Sequence, residues 1–135
     1  MNSKRSYFRS LLLMVGFLLA SSMVLAAPPG TPAPKNILIL HSYHPELPWT
    51  QAIGDGMMTV LETAPGPLHI HSEYMDTKRI FDPTPLSHLR TLFAHKFAAR
   101  RFDVILTSDD HAYNFISTHG DALFPGVPVV FCGVN

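Results

Sequence analysis

A serine, a tyrosine and a histidine stand together at positions 42–44, directly after the apolar run NILILH. A serine beside a histidine could act as a nucleophile with its base, because the imidazole can take the hydroxyl proton. The sequence around Ser42 lacks the Gly-x-Ser-x-Gly turn that presents such a nucleophile in many hydrolases. We therefore predict that Ser42 forms hydrogen bonds at a strand end and that the chain has no catalytic residue. A secreted hydrolase that uses Ser42 with a histidine, or a histidine-bound metal, is the alternative.

Two aspartates, Asp109 and Asp110, follow a second apolar run, FDVIL, after an intervening threonine and Ser108. In one interpretation, the two carboxylates bind a ligand. In the other, Asp110 or Ser108 caps the following helix by accepting hydrogen bonds from its first N–H groups. The sequence leaves both interpretations open, and both can hold for neighbouring residues.

Eight histidines make a zinc site a hypothesis to test. His41 and His44 are close in sequence, while His69 and His71 are two apart on a predicted strand and therefore face the same way. No His-Glu-x-x-His motif is present, and the second pair falls on the polar face of an edge strand. We predict a solvated histidine face, with no metal and no cofactor. Cys132 is the only cysteine, which excludes an intramolecular disulfide.

Alternating strands and helices must position these groups. Four apolar or alternating runs of strand length predict strands at Asn36–His41, Leu68–Tyr74, Phe102–Leu106 and Val127–Phe131. Apolar residues at helical spacing predict helices at Trp49–Ala64, from Thr84 towards Arg100 and Arg101, and at Asp110–His119. We expect Thr50 to cap the first helix and Gly120 to stop the third. Trp49 begins the apolar stripe of the first helix, which favours packing over ligand stacking.

This alternation predicts an α/β fold, a Rossmann-like parallel sheet with helices on both faces. The first and third strands are the most apolar and should lie centrally, which gives the strand order 2-1-3-4. Ligands of such sheets bind beyond the carboxyl ends of the strands, where helix N-termini can also hold an anionic group. The predicted ligand-binding residues share that location: Ser42, Tyr43, Trp49, Asp76, Thr77, Ser108, Asp109, Asp110 and Asn135.

The first 26 residues have the order of a secretory signal, with a basic start, an apolar run and small residues at the end. We expect cleavage after Ala26 and export to the periplasm, with an uncleaved membrane anchor as the alternative. Residues 27–34 are rich in proline and predict an extended tether. The remaining chain, residues 27–135, holds seven basic and ten acidic side chains. It therefore lacks the basic surface of a nucleic-acid binder, and no nucleic-acid partner is predicted.

Four segments carry a family resemblance: KNILILHSYHPELPWT, EYMDTKR, FDVILTSDDHAYNF and GVPVVFCGVN. Together they resemble the N-terminal lobe of ABC-type periplasmic substrate-binding proteins. The most similar variety forms the extracytoplasmic sensor domain of bacterial sensor histidine kinases. The resemblance covers residues 35–135 and implies one lobe of a type I periplasmic-binding-protein fold. We expect the chain to be a fragment or a truncated product that lacks the second lobe.

The resemblance also implies a function. A two-lobed receptor of this kind closes on a small ligand, and residues 35–135 would supply one wall of the cleft. Its expected partners are a small-molecule ligand, the missing second lobe, and a membrane permease or a kinase module. We therefore expect a non-enzymatic solute-binding module for uptake or signalling. A third possibility is that the truncated chain has no independent function and aggregates through an exposed sheet edge.

Overall fold

A computed structural model describes residues 32–80 and 84–135. The predicted signal segment, residues 1–26, and residues 27–31 of the predicted tether lie outside this part. Four strands and three helices alternate along it: β1 (Lys35–His41), α1 (Pro48–Leu61), β2 (Leu68–Tyr74), α2 (Thr84–Lys96), β3 (Val104–Ser108), α3 (Asp109–Leu123) and β4 (Val129–Cys132). The alternation matches the prediction from apolar patterning, and strand β1 begins at Lys35, where the folded part was expected to start.

The four strands form one sheet in the order β2-β1-β3-β4, and all neighbours are parallel. The predicted α/β class and strand order are therefore confirmed. Residues 37–41 of β1 are all buried, because β1 has a neighbour on each side and helices above and below. Strand β2 lies at an edge and contains only half-buried and exposed residues, as its mixed sequence indicates.

The two faces of the sheet carry different helices. Leu38, Leu40 and Ile105 belong to one apolar cluster with residues of α2 and α3. Successive strand residues point to opposite faces, and Leu106 accordingly lies beside Ile53 of α1 along a groove on the other side. Helix α1 therefore covers one face, and α2 with α3 covers the other.

Five phenylalanines form the centre of the α2–α3 layer. Phe93 of α2 contacts Phe97 and Phe115 in edge-to-face geometry, with ring centroids 5.4 and 5.8 Å apart. Phe97 and Phe102 are 5.1 Å apart, and Phe124 joins both. Edge-to-face pairs add attraction beyond the burial of their area. This cluster anchors the helices that follow β2 and β3, and with them the loops at the carboxyl edge of the sheet.

Strand β3 begins two residues later than predicted and ends two residues later. Asp103 occupies the position before it, where its carboxylate accepts the backbone N–H of Asn36 and pairs with Lys35, each at 2.8 Å. The regular pairing of β3 with β1 therefore starts at Val104. The strand continues through Thr107 and Ser108 although both are polar, because both are fully buried between the layers.

The boundaries of the helices also differ from the prediction. Helix α1 has Leu47 as its N-cap and Pro48 in its first turn, so the expectation that Thr50 caps it was wrong. Proline suits this position because its missing N–H would have no helical partner. Helix α3 passes through Gly120 to Leu123. Gly120 does not stop the helix, since it is buried on the core side, where a Cβ would lie 3.1 Å from Ile116 Cγ2.

The end of α2 and the start of β4 also differ from the prediction. Helix α2 ends at Lys96, so Arg100 and Arg101 lie beyond its last turn. Arg100 instead places Nη1 2.7 Å from His71 Nε2, which adds a partner to the predicted solvated histidine face. Strand β4 begins after Pro128, whose carbonyl accepts from the Ile105 N–H. Among the helices of residues 32–80 and 84–135, none combines the length and apolar character needed to cross a membrane.

Candidate functional site

The carboxyl ends of β1 and β3 lie side by side, with His41 opposite Ser108 in the register. The chain leaves β1 towards β2 on one side and leaves β3 towards β4 on the other. Such a reversal of connection direction opens a crevice, and open α/β sheets bind their ligands there. We call the four residues that build this place, His41, Ser42, Ser108 and Asp109, the switch-point edge.

The hydroxyl of Ser42 joins the two loops at this edge. It donates to the Ser108 carbonyl at 2.7 Å and accepts the backbone N–H of Ala112 at 2.8 Å. In a regular helix the Ala112 N–H would bond to that same carbonyl, four residues earlier. Ser42 is therefore inserted into the first turn of α3 and satisfies it from another strand. The side chain is fully buried, which speaks against Ser42 as an accessible nucleophile.

The interpretation that the side chain of Asp110 or Ser108 caps α3 was wrong. Within the described ranges, the N-cap Ser108 forms no side-chain cap bond. Its hydroxyl instead bonds to His41 Nδ1 at 2.9 Å. Asp110 uses Oδ1 to accept the backbone N–H of Asn135 at 3.0 Å. Both side chains serve contacts with neighbouring loops.

His41 is buried at the centre of the edge. Its ring stacks on Tyr74, with centroids 4.9 Å apart and planes 13° from parallel. Burial lowers the pKa of His41 from the ordinary value of 6.5, and the nearby Asp109 carboxylate only partly opposes this. The imidazole is therefore neutral at neutral pH and acts as a hydrogen-bonding group for Ser108.

Asp109 combines three unusual properties. Its backbone is in the left-handed region, with φ of 68°, which costs free energy for a residue other than glycine. Its side chain is only 6% exposed. Oδ1 accepts the indole N–H of Trp49 at 2.8 Å, whereas Oδ2 is buried and has no hydrogen-bond partner among residues 32–80 and 84–135. Strained backbone is concentrated at functional sites in proteins, and a buried polar atom without a hydrogen-bond partner is uncommon in native structures.

Gly133 makes room for this carboxylate. A Cβ at position 133 would lie 3.1 Å from Asp109 Oδ1, and the glycine backbone is itself left-handed, with φ of 68°. The loop after β4 can therefore approach the aspartate only because residue 133 has no side chain. Sequence reasoning did not select Gly133 or His41 as ligand-site residues. Gly133 lies within a predicted strand-end loop, but its close approach depends on the tertiary structure.

Two aromatic side chains flank the carboxylate. Trp49 is 53% exposed, so the interpretation that it packs into the apolar layer was wrong. Tyr43 contacts the edge of the His111 ring and lies under the ammonium of Lys78, 4.5 Å from the ring centroid. Burial and the charges of Asp109 and the next aspartate raise the pKa of Tyr43, so its phenol stays protonated.

The loop after β2 completes the edge. Thr77 donates both its backbone N–H and its hydroxyl to the Ser42 carbonyl, at 2.9 and 2.8 Å. Asp76 has a left-handed backbone, with φ of 56°, and accepts Arg79 Nε at 2.9 Å. The same arginine reaches Glu46 at 2.9 Å. Thr77 therefore holds the β1 loop in place, while Asp76 already has a cationic partner.

All nine residues predicted from sequence lie at this one edge, but their surroundings divide them. Ser42, Thr77 and Ser108 tie loops together through buried or partly buried bonds. Asp110 and Asn135 bond to each other, and Asp76 is paired with Arg79. Tyr43, Trp49 and Asp109 remain as the groups that a ligand can use. No set of three or more His, Cys, Asp or Glu side chains within the described ranges is arranged to hold a metal ion.

Comparisons with known proteins provide no further identification. No family model, curated protein or solved structure matches this chain.

Proposed function

We propose that residues 35–135 are a lobe of a periplasmic solute-binding module that recognises a small molecule at the switch-point edge. The proposed role is non-enzymatic and serves uptake through a membrane permease or signalling through a sensor kinase. One observation carries the proposal. The buried Asp109 carboxylate has a strained backbone and one oxygen without a hydrogen-bond partner among residues 32–80 and 84–135. It lies where the connections from β1 and β3 run in opposite directions, the place at which open parallel sheets bind ligands.

The packing of the loops supports binding by a preformed edge. Backbone or side-chain hydrogen bonds join the loop after β1 to those after β2 and β3, and the loop after β4 to the start of α3. These bonds reduce the ordering that a ligand would otherwise have to bring about. The exposed ring of Trp49 then offers an apolar surface to the ligand's body.

The hydrolase alternative has less support. Catalysis by Ser42 requires a hydroxyl that substrate can reach and a base that can take its proton. The Ser42 hydroxyl is fully buried and bonded to two backbone groups. His41, which is also buried, bonds to Ser108.

Signal transmission in this proposal depends on a second α/β lobe. A ligand that contacts both lobes favours the closed arrangement, because only that arrangement provides both sets of contacts. The first lobe contributes the carboxylate and the aromatic rings. The closed form would then dock on a permease or bias a kinase module in the membrane.

Intrinsic fluorescence tests the binding proposal directly, because Trp49 is the only tryptophan of the chain. The purified full chain is titrated with amino acids, amines, nucleosides and small carboxylic acids while the emission of Trp49 is recorded. We expect a saturable change for at least one class, with a parallel rise in melting temperature.

Matched variants locate the binding site. Tyr43→Ala should weaken binding, whereas Arg101→Ala, an exposed residue at the opposite end of the sheet, should leave it unchanged. Lack of binding by every class, with cleavage of a generic ester that is lost in a Ser42→Ala protein shown to be folded, would support the hydrolase instead.

A further inference from the structure

We infer that the ligand of the switch-point edge presents a protonated organic amine to Asp109. The inference rests on the proposed function and specifies the chemical class of its ligand. It starts from the one carboxylate oxygen at this edge, Asp109 Oδ2, that is buried and has no hydrogen-bond partner in the described part of the chain.

Among the described residues, the arginine and lysine side chains near the edge have other partners. Arg79 pairs with Asp76 and with Glu46, and Lys78 lies over the Tyr43 ring. Across residues 32–80 and 84–135, no ion pair includes Asp109. A buried carboxylate without a cation is costly, so a cationic ligand would gain more here than at an exposed aspartate.

The ionisable neighbours of Asp109 do not supply a positive charge to balance its carboxylate. Burial lowers the pKa of His41, which keeps the ring neutral. Burial together with the Asp109 charge raises the pKa of both Tyr43 and Cys132, so both stay protonated and uncharged. The start of α3 contributes partial positive charge, but no N–H of that turn bonds to Asp109 among the described hydrogen bonds.

An organic ammonium suits the surroundings better than a metal ion does. Oxygen-binding metals need several oxygen ligands, carboxylates above all, and no group of three or more His, Cys, Asp or Glu side chains among the described residues is arranged to hold a metal ion. Aromatic faces attract ammonium groups. The Lys78 ammonium already lies over the Tyr43 ring, 4.5 Å from its centroid. The exposed indole of Trp49, which is bonded to the carboxylate, provides a second aromatic ring.

Access to the carboxylate requires one covering group to move. Trp49 is bonded to Oδ1 and is more than half exposed, so its side chain can turn and release Oδ1 while the ring stays beside the carboxylate. Gly133, on the other side of the carboxylate, is backbone in a loop tied down through Asn135 and Asp110. We therefore assign Trp49 as the group that releases Asp109 to the amine. Its fluorescence should change when the amine binds.

Three probes of similar size test this assignment on the full chain: 2-phenylethylamine, 2-phenylethanol and phenylacetate. Calorimetry provides the affinities, and the emission of Trp49 reports on the site. A charge-assisted hydrogen bond predicts that the amine binds roughly tenfold or more tightly than the alcohol. Phenylacetate should bind most weakly of the three.

Asp109→Asn removes the charge and keeps an oxygen for the Trp49 N–H. We expect the preference for amine over alcohol to disappear in it. Asp121→Asn is the matched control, because Asp121 is an exposed aspartate near the other end of α3, and it should retain the preference. If Asp109→Asn does not fold, Trp49→Phe serves in its place. Loss of the competing N–H should then strengthen amine binding roughly two- to tenfold.

The outcomes separate the inference from the proposed function. Equal or tighter binding of the alcohol or of phenylacetate overturns the amine inference but leaves a solute-binding module. Failure of the amine to bind, or weaker amine binding by Trp49→Phe, also overturns it. The wider ligand panel with Tyr43→Ala tests the proposed function independently.

Discussion

Replacement of Ser42 by alanine removes the hydroxyl that connects β1 to the first turn of α3. The change deletes a 2.7 Å bond to the Ser108 carbonyl and leaves the Ala112 N–H, now bonded at 2.8 Å, without its acceptor in a fully buried place. An unsatisfied buried donor costs about 1–3 kcal/mol. The lower end applies if the Ala112 N–H turns to the Ser108 carbonyl, its regular helical acceptor.

A loss of about 2 kcal/mol lowers the melting temperature of a domain of this size by about 8–16 °C. Urea denaturation followed by circular dichroism measures the free energy of unfolding directly. Thr118→Ala is the control, because its hydroxyl also bonds to a backbone carbonyl, that of Asn114 at 2.8 Å, but is exposed. That variant should stay within about 0.5 kcal/mol of the parent.

The result that refutes this reasoning is a Ser42→Ala protein as stable as the Thr118→Ala control. The hydroxyl would then not bridge the two loops. If the same variant also lost an ester-hydrolysing activity of the parent, Ser42 would be a nucleophile, and the interpretation of the edge as a binding site would fail.

Three further changes test the core and the edge by equilibrium unfolding. Phe93→Ala should cost about 3–5 kcal/mol, since Phe93 is 1% exposed, whereas Leu92→Ala, 55% exposed, should cost far less. Thr107→Val should be neutral or stabilising, because it removes a buried hydroxyl without a partner in the described residues; a loss above about 1 kcal/mol would contradict this. Because burial lowers the pKa of His41, this residue binds fewer protons in the folded protein than in the unfolded chain below about pH 6.5. Stability should therefore fall as the pH drops through 6.5, and less steeply in His41→Asn.

Much of the architecture was predictable from local patterns. The apolar run of β1 and the alternating run of β2 indicate a central and an edge strand, because a central strand is covered on both faces whereas an edge strand is partly exposed. The alternation of strands with helices then leaves few topologies, since parallel strands need crossovers of one hand. The order 2-1-3-4 and the gathering of loops at one edge follow from these two facts.

Element ends were less predictable, for a reason visible at β3 and α3. The polar residues Thr107 and Ser108 look like a loop, but they complete the strand because they are buried between the layers. The helix therefore begins at Asp109, directly after the strand. A chain that turns from strand to helix without a loop has to adopt an unusual backbone conformation at the junction, and Asp109 does so with φ of 68°.

The sequence by itself determined the α/β class, the strand order and the edge at which polar groups gather. Only the tertiary structure decided which contacts each of those groups makes. Ser42 bonds to Ala112 across 70 residues, and Trp49 bonds to Asp109 across 60. Such contacts depend on strand register and on where each helix starts, so no local pattern encodes them. That Asp109 Oδ2 lacks a hydrogen-bond partner in the described part of the chain is a property of that three-dimensional arrangement.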